Sequence, residues 1–359
     1  MAALQELPSA TRAAVNDRNL VPRSSFPGSS TGKLGLLASS LKLASQGHGF
    51  YRSPARFARL LWAFATNIYR QLEIFRILAL PTFTSLIRLE PIFPFKYLTR
   101  GYLVRGLSST ERASSFSHHY RRLNAIFPSS ILRKILYKDL TLIKKQVDDH
   151  VLSVRLGLAR REVREGELAL ALLVDGVTVY ILQFTIVPGW VVKSSVADVF
   201  LVSRLQGMKG CYSQVRLATK AFLDIAPPAL LLASLHGIAT ACGIDEMAGI
   251  SAASQFSHVD DHTDSFRTAY DDFWVELGAK KTSASFFASP IPPQEKSLDT
   301  VTNGHKSRTR KKRAFKQQIA EDVFSLLIET NPVCKKCFSA DCNKCPSATG
   351  LLPIKESAL

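Results

Sequence analysis

The chain has 359 residues, enough for two or at most three domains with a substantial core, so a peptide or a disulfide-stapled miniprotein is excluded. Its composition, 46% hydrophobic, 21% charged and 9% aromatic, lies in the ordinary globular range and excludes wholesale disorder or collagen-like sequence. Charge is the outlier: the net +17 divides into 22 basic and 8 acidic residues over 1–150, 13 and 16 over 151–300, and 11 and 5 over 301–359, a near-neutral middle between flanks suited to an anionic partner such as nucleic acid or acidic lipid.

Residues 1–51 read as a flexible basic tail with only Glu6 and Asp17 acidic, a balance that organelle transit peptides share. Residues 1–16 hold no apolar run of signal-peptide length, and 34–44 is broken by serines and Lys42, so secretion by a standard signal is not expected. From Arg56, the residues Phe57, Leu60, Leu61, Phe64 and Ile68 recur at helical spacing, with Arg59, Arg70, Glu73 and Arg76 on or near the other face. That predicts an amphipathic helix with a basic polar side, packed on its own domain or laid in an anionic membrane surface. Past Pro81, Pro91 and Pro94, Ser108 and Glu111 form a capping box for a helix through Ala113, Phe116, Tyr120 and Leu123. A short helix follows Pro128, completing a helical region over 52–139.

The period then changes to two. Leu152, Val154, Leu156 and Leu158 alternate with smaller or polar residues, and Leu168, Leu170, Leu172 and Val174 do so again. Asp175-Gly176 between 167–174 and 177–187 is a strong hairpin signal, and a strand over 196–203 runs into Arg204-Leu205-Gln206-Gly207. Helices are expected over 215–222 and 229–242, the second stopped by Gly243, then a strand over 247–252, a helix over 266–277 ended by Gly278, and a last strand over 283–289. This is an α+β core over 140–293: N-terminal helices, then a mostly antiparallel sheet with packed helices. The longest charge-free apolar stretch, 225–244, would span only about 21 Å as a helix at about 1.5 Å per residue, against about 30 Å of bilayer hydrocarbon, so no transmembrane span is expected. Residues 294–330 read as a basic linker and an amphipathic helix with Phe315, Ile319, Val323, Leu326 and Leu327 on one stripe, followed by a cysteine-rich tail over 331–359.

Three patterns suggest chemistry. Cys334, Cys337, Cys342 and Cys345 form two CxxC pairs that could supply four thiolates to Zn²⁺, although the four-residue gap makes a tight loop and incidental tail cysteines are the plainer reading. Together with Cys211 and Cys242 they suit reduced thiols in a cytoplasmic compartment. Gln206, Gly207 and Gly210 follow a strand and precede a helix, where backbone amides can hold phosphate, and Arg204, Lys209, Arg216 and Lys220 add positive charge; a glycine-requiring turn is the simpler account. Lys306, Arg308, Arg310, Lys311, Lys312, Arg313 and Lys316 make a basic run with no acid, suited to salt-sensitive attraction to an anionic membrane, an envelope protein or, without sequence specificity, nucleic acid. His258 and His262 lie among Asp260, Asp261 and Asp264, without the apolar periodicity of a metal-binding helix; a solvated loop is expected. No Walker loop, GxSxG elbow or HExxH is present, which leaves NTPase and hydrolase readings unsupported.

Over 97–316 the chain resembles the VirK-type bacterial family, formerly a domain of unknown function. The resemblance is carried by Leu107-Ser108, Glu111-Arg112, His119-Tyr120, Glu165-Gly166-Glu167-Leu168, Arg204-Leu205-Gln206-Gly207, Arg216, Ala218-Thr219-Lys220-Ala221, Pro228, Leu230-Leu231, Tyr270-Asp271, Phe273-Trp274, Glu276-Leu277-Gly278 and Lys312-Arg313-Ala314. The chain departs from the family at 223–227 and at Ala252, where the family carries Asn. The resemblance implies a virulence and cell-envelope role, linked to surface-protein display and antimicrobial-peptide tolerance, with no established chemistry; with the cysteine usage, the expected location is cytoplasmic, peripheral on the inner membrane. A second likeness, over 230–244 and 272–279, is to acyl-CoA N-acyltransferases. It implies an N-acyltransferase-like fold with acyl-CoA phosphates near Arg204, Gln206, Gly207, Lys209, Arg216 and Lys220. In that superfamily the pyrophosphate loop joins a central strand directly to its helix, whereas here an extra helix over 211–222 intervenes.

Overall fold

A computed structural model of the chain describes residues 62, 64–90, 93–159, 165–256, 268–295 and 297–329. Before the sheet lie α1 (Ile68–Leu78), α2 (Thr84–Leu89), a 3₁₀ turn at Phe93–Leu98, α3 (Ser109–Ile126) and α4 (Ser129–Tyr137). The expected capping box opens α3: the Glu111 amide donates to Ser108 Oγ at 3.2 Å, and the Ser108 amide donates to Glu111 Oε2 at 2.7 Å. A cap of this kind stabilises a helix by about 1 kcal/mol. Aromatic edges lock these helices together, with Tyr120 packed at 4.9 Å from Phe116, 5.3 Å from Phe93 and 5.4 Å from Phe83.

Of the helix expected from Arg56, the residues Phe57, Arg59, Leu60 and Leu61 lie outside the described residues, while Arg70 and Glu73 are half-buried. Gln71, Ile74, Phe75, Ile77 and Leu78 of α1 are buried, while Trp62, Tyr69 and Leu72 join Arg76 on the exposed surface. The outer face is therefore aromatic as well as cationic.

The sheet has eight strands: β1 (Leu140–Val147), β2 (His150–Leu158), β3 (Leu168–Val174), β4 (Val177–Pro188), β5 (Asp198–Gly207), β6 (Glu246–Ile250), β7 (Lys280–Lys281) and β8 (Phe286–Pro290). Their spatial order is β1-β2-β3-β4-β5-β6-β8-β7. All neighbouring pairs are antiparallel except β5 and β6, which run parallel with Phe200 opposite Met247 and Val202 opposite Gly249. The architecture is thus α+β as expected. Asp175 and Gly176 both take positive φ, 50° and 79°, the two-residue hairpin geometry their sequence requires.

Several boundaries differ from the sequence reading. β1 was not anticipated: a bulge between Thr141 and Ile143 breaks its alternation, and Lys144, Lys145 and Gln146 give it the polar character of an edge strand. β5 runs on to Gly207, so Arg204, Gln206 and Gly207 belong to the strand and only 208–211 turn. The last strand is Phe286–Pro290, paired with the two-residue β7.

Between β5 and β6 the chain crosses over through α5 (Tyr212–Ala221) and α6 (Pro227–Cys242), the latter closed by Gly243 at φ 65°. A π-helical turn at Thr268–Asp272 leads into α7 (Phe273–Glu276), whose Trp274 lies so close over Gly249 that a Cβ there would fall 2.0 Å from the indole. The final helix, α8 (Asn303–Glu329), takes the basic run as its first half and packs on α6 through Ile319, Val323 and Leu327. Lys145 of β1 ties this layer to the sheet: it donates to the Ala221 carbonyl at 2.6 Å, with its ammonium 5.5 Å from the Phe222 ring and 5.9 Å from Phe315. One hydrophobic core runs continuously from Ile74 to Leu327. Among the described residues no helix is long and apolar enough to cross a membrane.

Candidate functional site

The parallel strands part after three residue pairs. β6 ends at Ile250 and turns away through a 3₁₀ turn at Ala252–Ser254, whereas β5 continues for five residues beyond Val202. Side chains meet the backbone that this exposes. Gln255 Nε2 donates to the Ser203 carbonyl at 3.4 Å, and the Leu205 amide donates to the Tyr270 hydroxyl at 3.3 Å. Tyr270 is held there because its neighbour Asp271 accepts from the Ala252 amide at 2.7 Å. Burial raises the Tyr270 phenol above its ordinary range, against the lowering influence of the Leu205 amide and Gln255, so it is a hydroxyl donor at neutral pH.

A bulge in β5 sits at the same place. Gln183 of β4 pairs with Arg204 and Phe184 with Val202, which leaves Ser203 outside the ladder. Gln183 is fully buried, yet neither amide atom meets a partner among the described residues; Ser203 Oγ and Glu165 Oε1 are likewise buried and unpartnered. Buried polar atoms are nearly always hydrogen-bonded, and each one left unmet costs about 1–3 kcal/mol. These three residues stand beside the parting strands, and other buried polar atoms without a partner among the described residues lie elsewhere, on Arg122, Arg155 and Trp274. Glu165 Oε2 lies 3.4 Å from Arg204 Nη1, and Arg204 donates through Nε and Nη2 to Gln206 Oε1 at 3.1 and 2.9 Å. Burial raises the Glu165 carboxyl above the ordinary range while Arg204 pulls it down.

Behind this group is a second acid. Glu167 is fully buried, with Lys96 Nζ 3.1 Å from Oε1, the Tyr120 hydroxyl donating to Oε2, and its own amide donating to Thr185 Oγ1 at 3.1 Å. Burial, then the Glu167 carboxylate, push the phenols of Tyr102 and Tyr120 well above their usual range, which keeps both protonated. Beside it, His119 Nδ1 accepts from the Ile186 amide at 3.0 Å, and burial holds its pKa well below the usual value, so the ring is neutral.

The residues singled out in the sequence divide in this frame. Arg204, Gln206 and Gly207 lie on β5 at the parting point, and a Cβ on Gly207 would sit 3.3 Å from the Tyr180 ring. Arg204 is turned toward Glu165 rather than toward the turn. Lys209 is exposed on the turn, where Gly210 takes φ 82°, and Arg216 and Lys220 are exposed one helical turn apart on α5. The Cys211 side chain makes no hydrogen bond to the first turn of α5.

The basic run is largely engaged inside the molecule. Arg308 and Lys312 reach Asp224 at 2.7 and 2.6 Å, and Arg313 and Lys316 both pair with Glu295. Lys306 is half-buried, and Arg310 and Lys311 are exposed. Cys334, Cys337, Cys342 and Cys345, with His258, His262 and their acidic neighbours, lie outside the described residues. Among the described residues no group of three or more His, Cys, Asp or Glu could hold a metal ion. Sequence reading missed Glu165, Glu167, Gln183, Gln255 and Tyr270 as one site. The available signal was Gln183, the one amide side chain in the largely apolar run of β4.

Fold and site together define a mixed-sheet α+β protein whose polar residues gather where its one parallel strand pair opens. Residues 51–324 match the profile of a family described as a protein of unknown function (DUF535), and the chain belongs to this VirK-type family. No curated protein and no solved structure matches it.

Proposed function

We propose that the protein is an acyl-CoA-dependent N-acyltransferase with an N-acyltransferase-like fold. The observation that carries this reading is the parting of β5 and β6 beyond Val202, with Tyr270 at the freed Leu205 amide and the turn into α5 directly downstream. A pantetheine arm lying in the parting would extend the sheet, leaving its phosphates at Lys209, Arg216, Lys220 and the start of α5. In the transfer, an acceptor amine attacks the thioester carbonyl carbon; a C–N bond forms, the C–S bond breaks and the thiolate leaves. Glu165, raised by burial, is suited to take the proton that the amine gives up. The Tyr270 hydroxyl is suited to protonate the departing sulfur.

Calorimetric titration with acetyl-CoA and a long-chain acyl-CoA, against a salt-matched polyanion, tests the reading. Saturable one-to-one binding that exceeds the polyanion is expected, weakened about tenfold by Lys209→Ala with Arg216→Ala. No specific binding overturns it.

A second reading keeps the envelope-associated role of the family resemblance, with surface-protein display and antimicrobial-peptide tolerance. Exposed Arg310 and Lys311 favour it as contacts for an anionic partner. Recovery with membranes that high salt releases would support it; full solubility at low salt would remove it.

A further inference from the structure

Among the described residues, no element covers the outer face of the first helical segment. Trp62 is 74% exposed and Tyr69 87%, followed by Leu72 at 36% and, just past the end of α1, Leu80 at 36%. Leu72 lies three residues and Arg76 seven residues after Tyr69, which keeps them on one side of α1 across two helical turns. Asn67 breaks the regular backbone between Trp62 and α1, so the face is a bent strip rather than one straight helix. Globular surfaces commonly show single exposed apolar residues. Two nearly bare aromatic rings with two leucines and an arginine in line are a different arrangement.

We infer that this strip docks the protein on an anionic lipid surface. Trp and Tyr are the side chains best suited to the bilayer interface, with apolar rings for the acyl boundary and a polar edge for the headgroups. The charge next to it in the sequence has the matching sign. Residues 1–61, which lead into the strip, carry 8 Lys and Arg against 2 Asp and Glu, and Arg76 lies on the strip itself. The one acid nearby, Glu73, is neutralised by Arg121 at 3.1 Å. An interior helix face would not need this excess of cations. The inference stands on the strip alone and does not rest on acyl transfer.

Flotation of the full chain with vesicles of zwitterionic lipid, and with vesicles in which about one-third of the lipid is anionic, tests it. Binding is expected to the anionic vesicles, and Trp62→Ala with Tyr69→Ala should lower the partition at least ~10-fold without changing the melting temperature, since both side chains are exposed. Tryptophan fluorescence should be quenched by brominated anionic lipid in the native chain and much less in Trp62→Phe, which keeps an aromatic ring at this exposed position and so should leave the fold intact. Equal partition of the native and Trp62/Tyr69 chains, or absence of quenching, would overturn the assignment. So would a drop from dimer to monomer in light scattering of the double variant without lipid, which would give the strip to a second copy of the chain.

Discussion

At the scale of single residues, the buried polar groups set how the protein responds to substitution and pH. Lys96 and Glu167 are an almost fully buried ion pair, and removing one partner from such a pair leaves an uncompensated charge at a cost of about 3–5 kcal/mol. Lys96→Met should therefore lower the urea midpoint sharply, whereas Lys96→Met with Glu167→Gln should recover a measurable part of the loss. His119 gives a pH dependence of defined sign. Burial, then His118 and Lys96, lower its pKa in the folded state below the unfolded value of about 6.5. The unfolded chain therefore takes up the proton first, and this contribution to stability is full above about pH 6.5 and is lost as the pH falls below it. Between about pH 7.5 and 5.5 the native chain should lose more stability than His119→Gln, whose amide oxygen can still accept from Ile186. Urea unfolding of both chains at the two pH values reads the difference. Tyr270→Phe should leave acyl-CoA affinity unchanged and lower transfer about 10²-fold, read as CoA-thiol release across a panel of primary amines.

At the scale of elements, local signals were legible and non-local ones were not. The Ser108 box, the Asp175-Gly176 hairpin and the Gly243 stop each depend on residues within three or four positions, and each stands where the sequence places it. β1 escaped because its bulge shifts the period in an edge strand already rich in Lys and Gln. The site escaped for a different reason. Glu165, Gln183, Arg204 and Tyr270 span more than a hundred residues and meet only because β3, β4 and β5 are neighbours and the segment before α7 folds back on them. Glycine positions show how tightly the helical layer fits. A Cβ on Gly237 of α6 would lie 2.3 Å from the Ala320 carbonyl oxygen and 2.8 Å from Val323 Cβ, so Gly237→Ala should force α8 away. We expect a loss of about 1–3 kcal/mol, seen as a lower melting temperature. An unchanged melt would contradict the packing of α8 on α6.

At the scale of the whole molecule, the uneven charge and the single core explain each other. Much of the basic excess in 306–316 holds α8 to Asp224 and Glu295, whereas the excess over 1–61 precedes in sequence an aromatic strip that no described element covers. The molecule thus presents two unlike features: a polar opening where β5 leaves β6, and an exposed strip along α1. The proposed acyl transfer would use the first and the inferred lipid docking the second, so each can fail without the other. Hydrogen–deuterium exchange of the full chain with and without saturating acetyl-CoA tests the central claim most directly. Slowed exchange is expected at the amides of 203–213, along the freed edge of β5 and the turn into α5, with the strip around Tyr69 unaffected. Protection confined to other segments, or none at saturation, would contradict it.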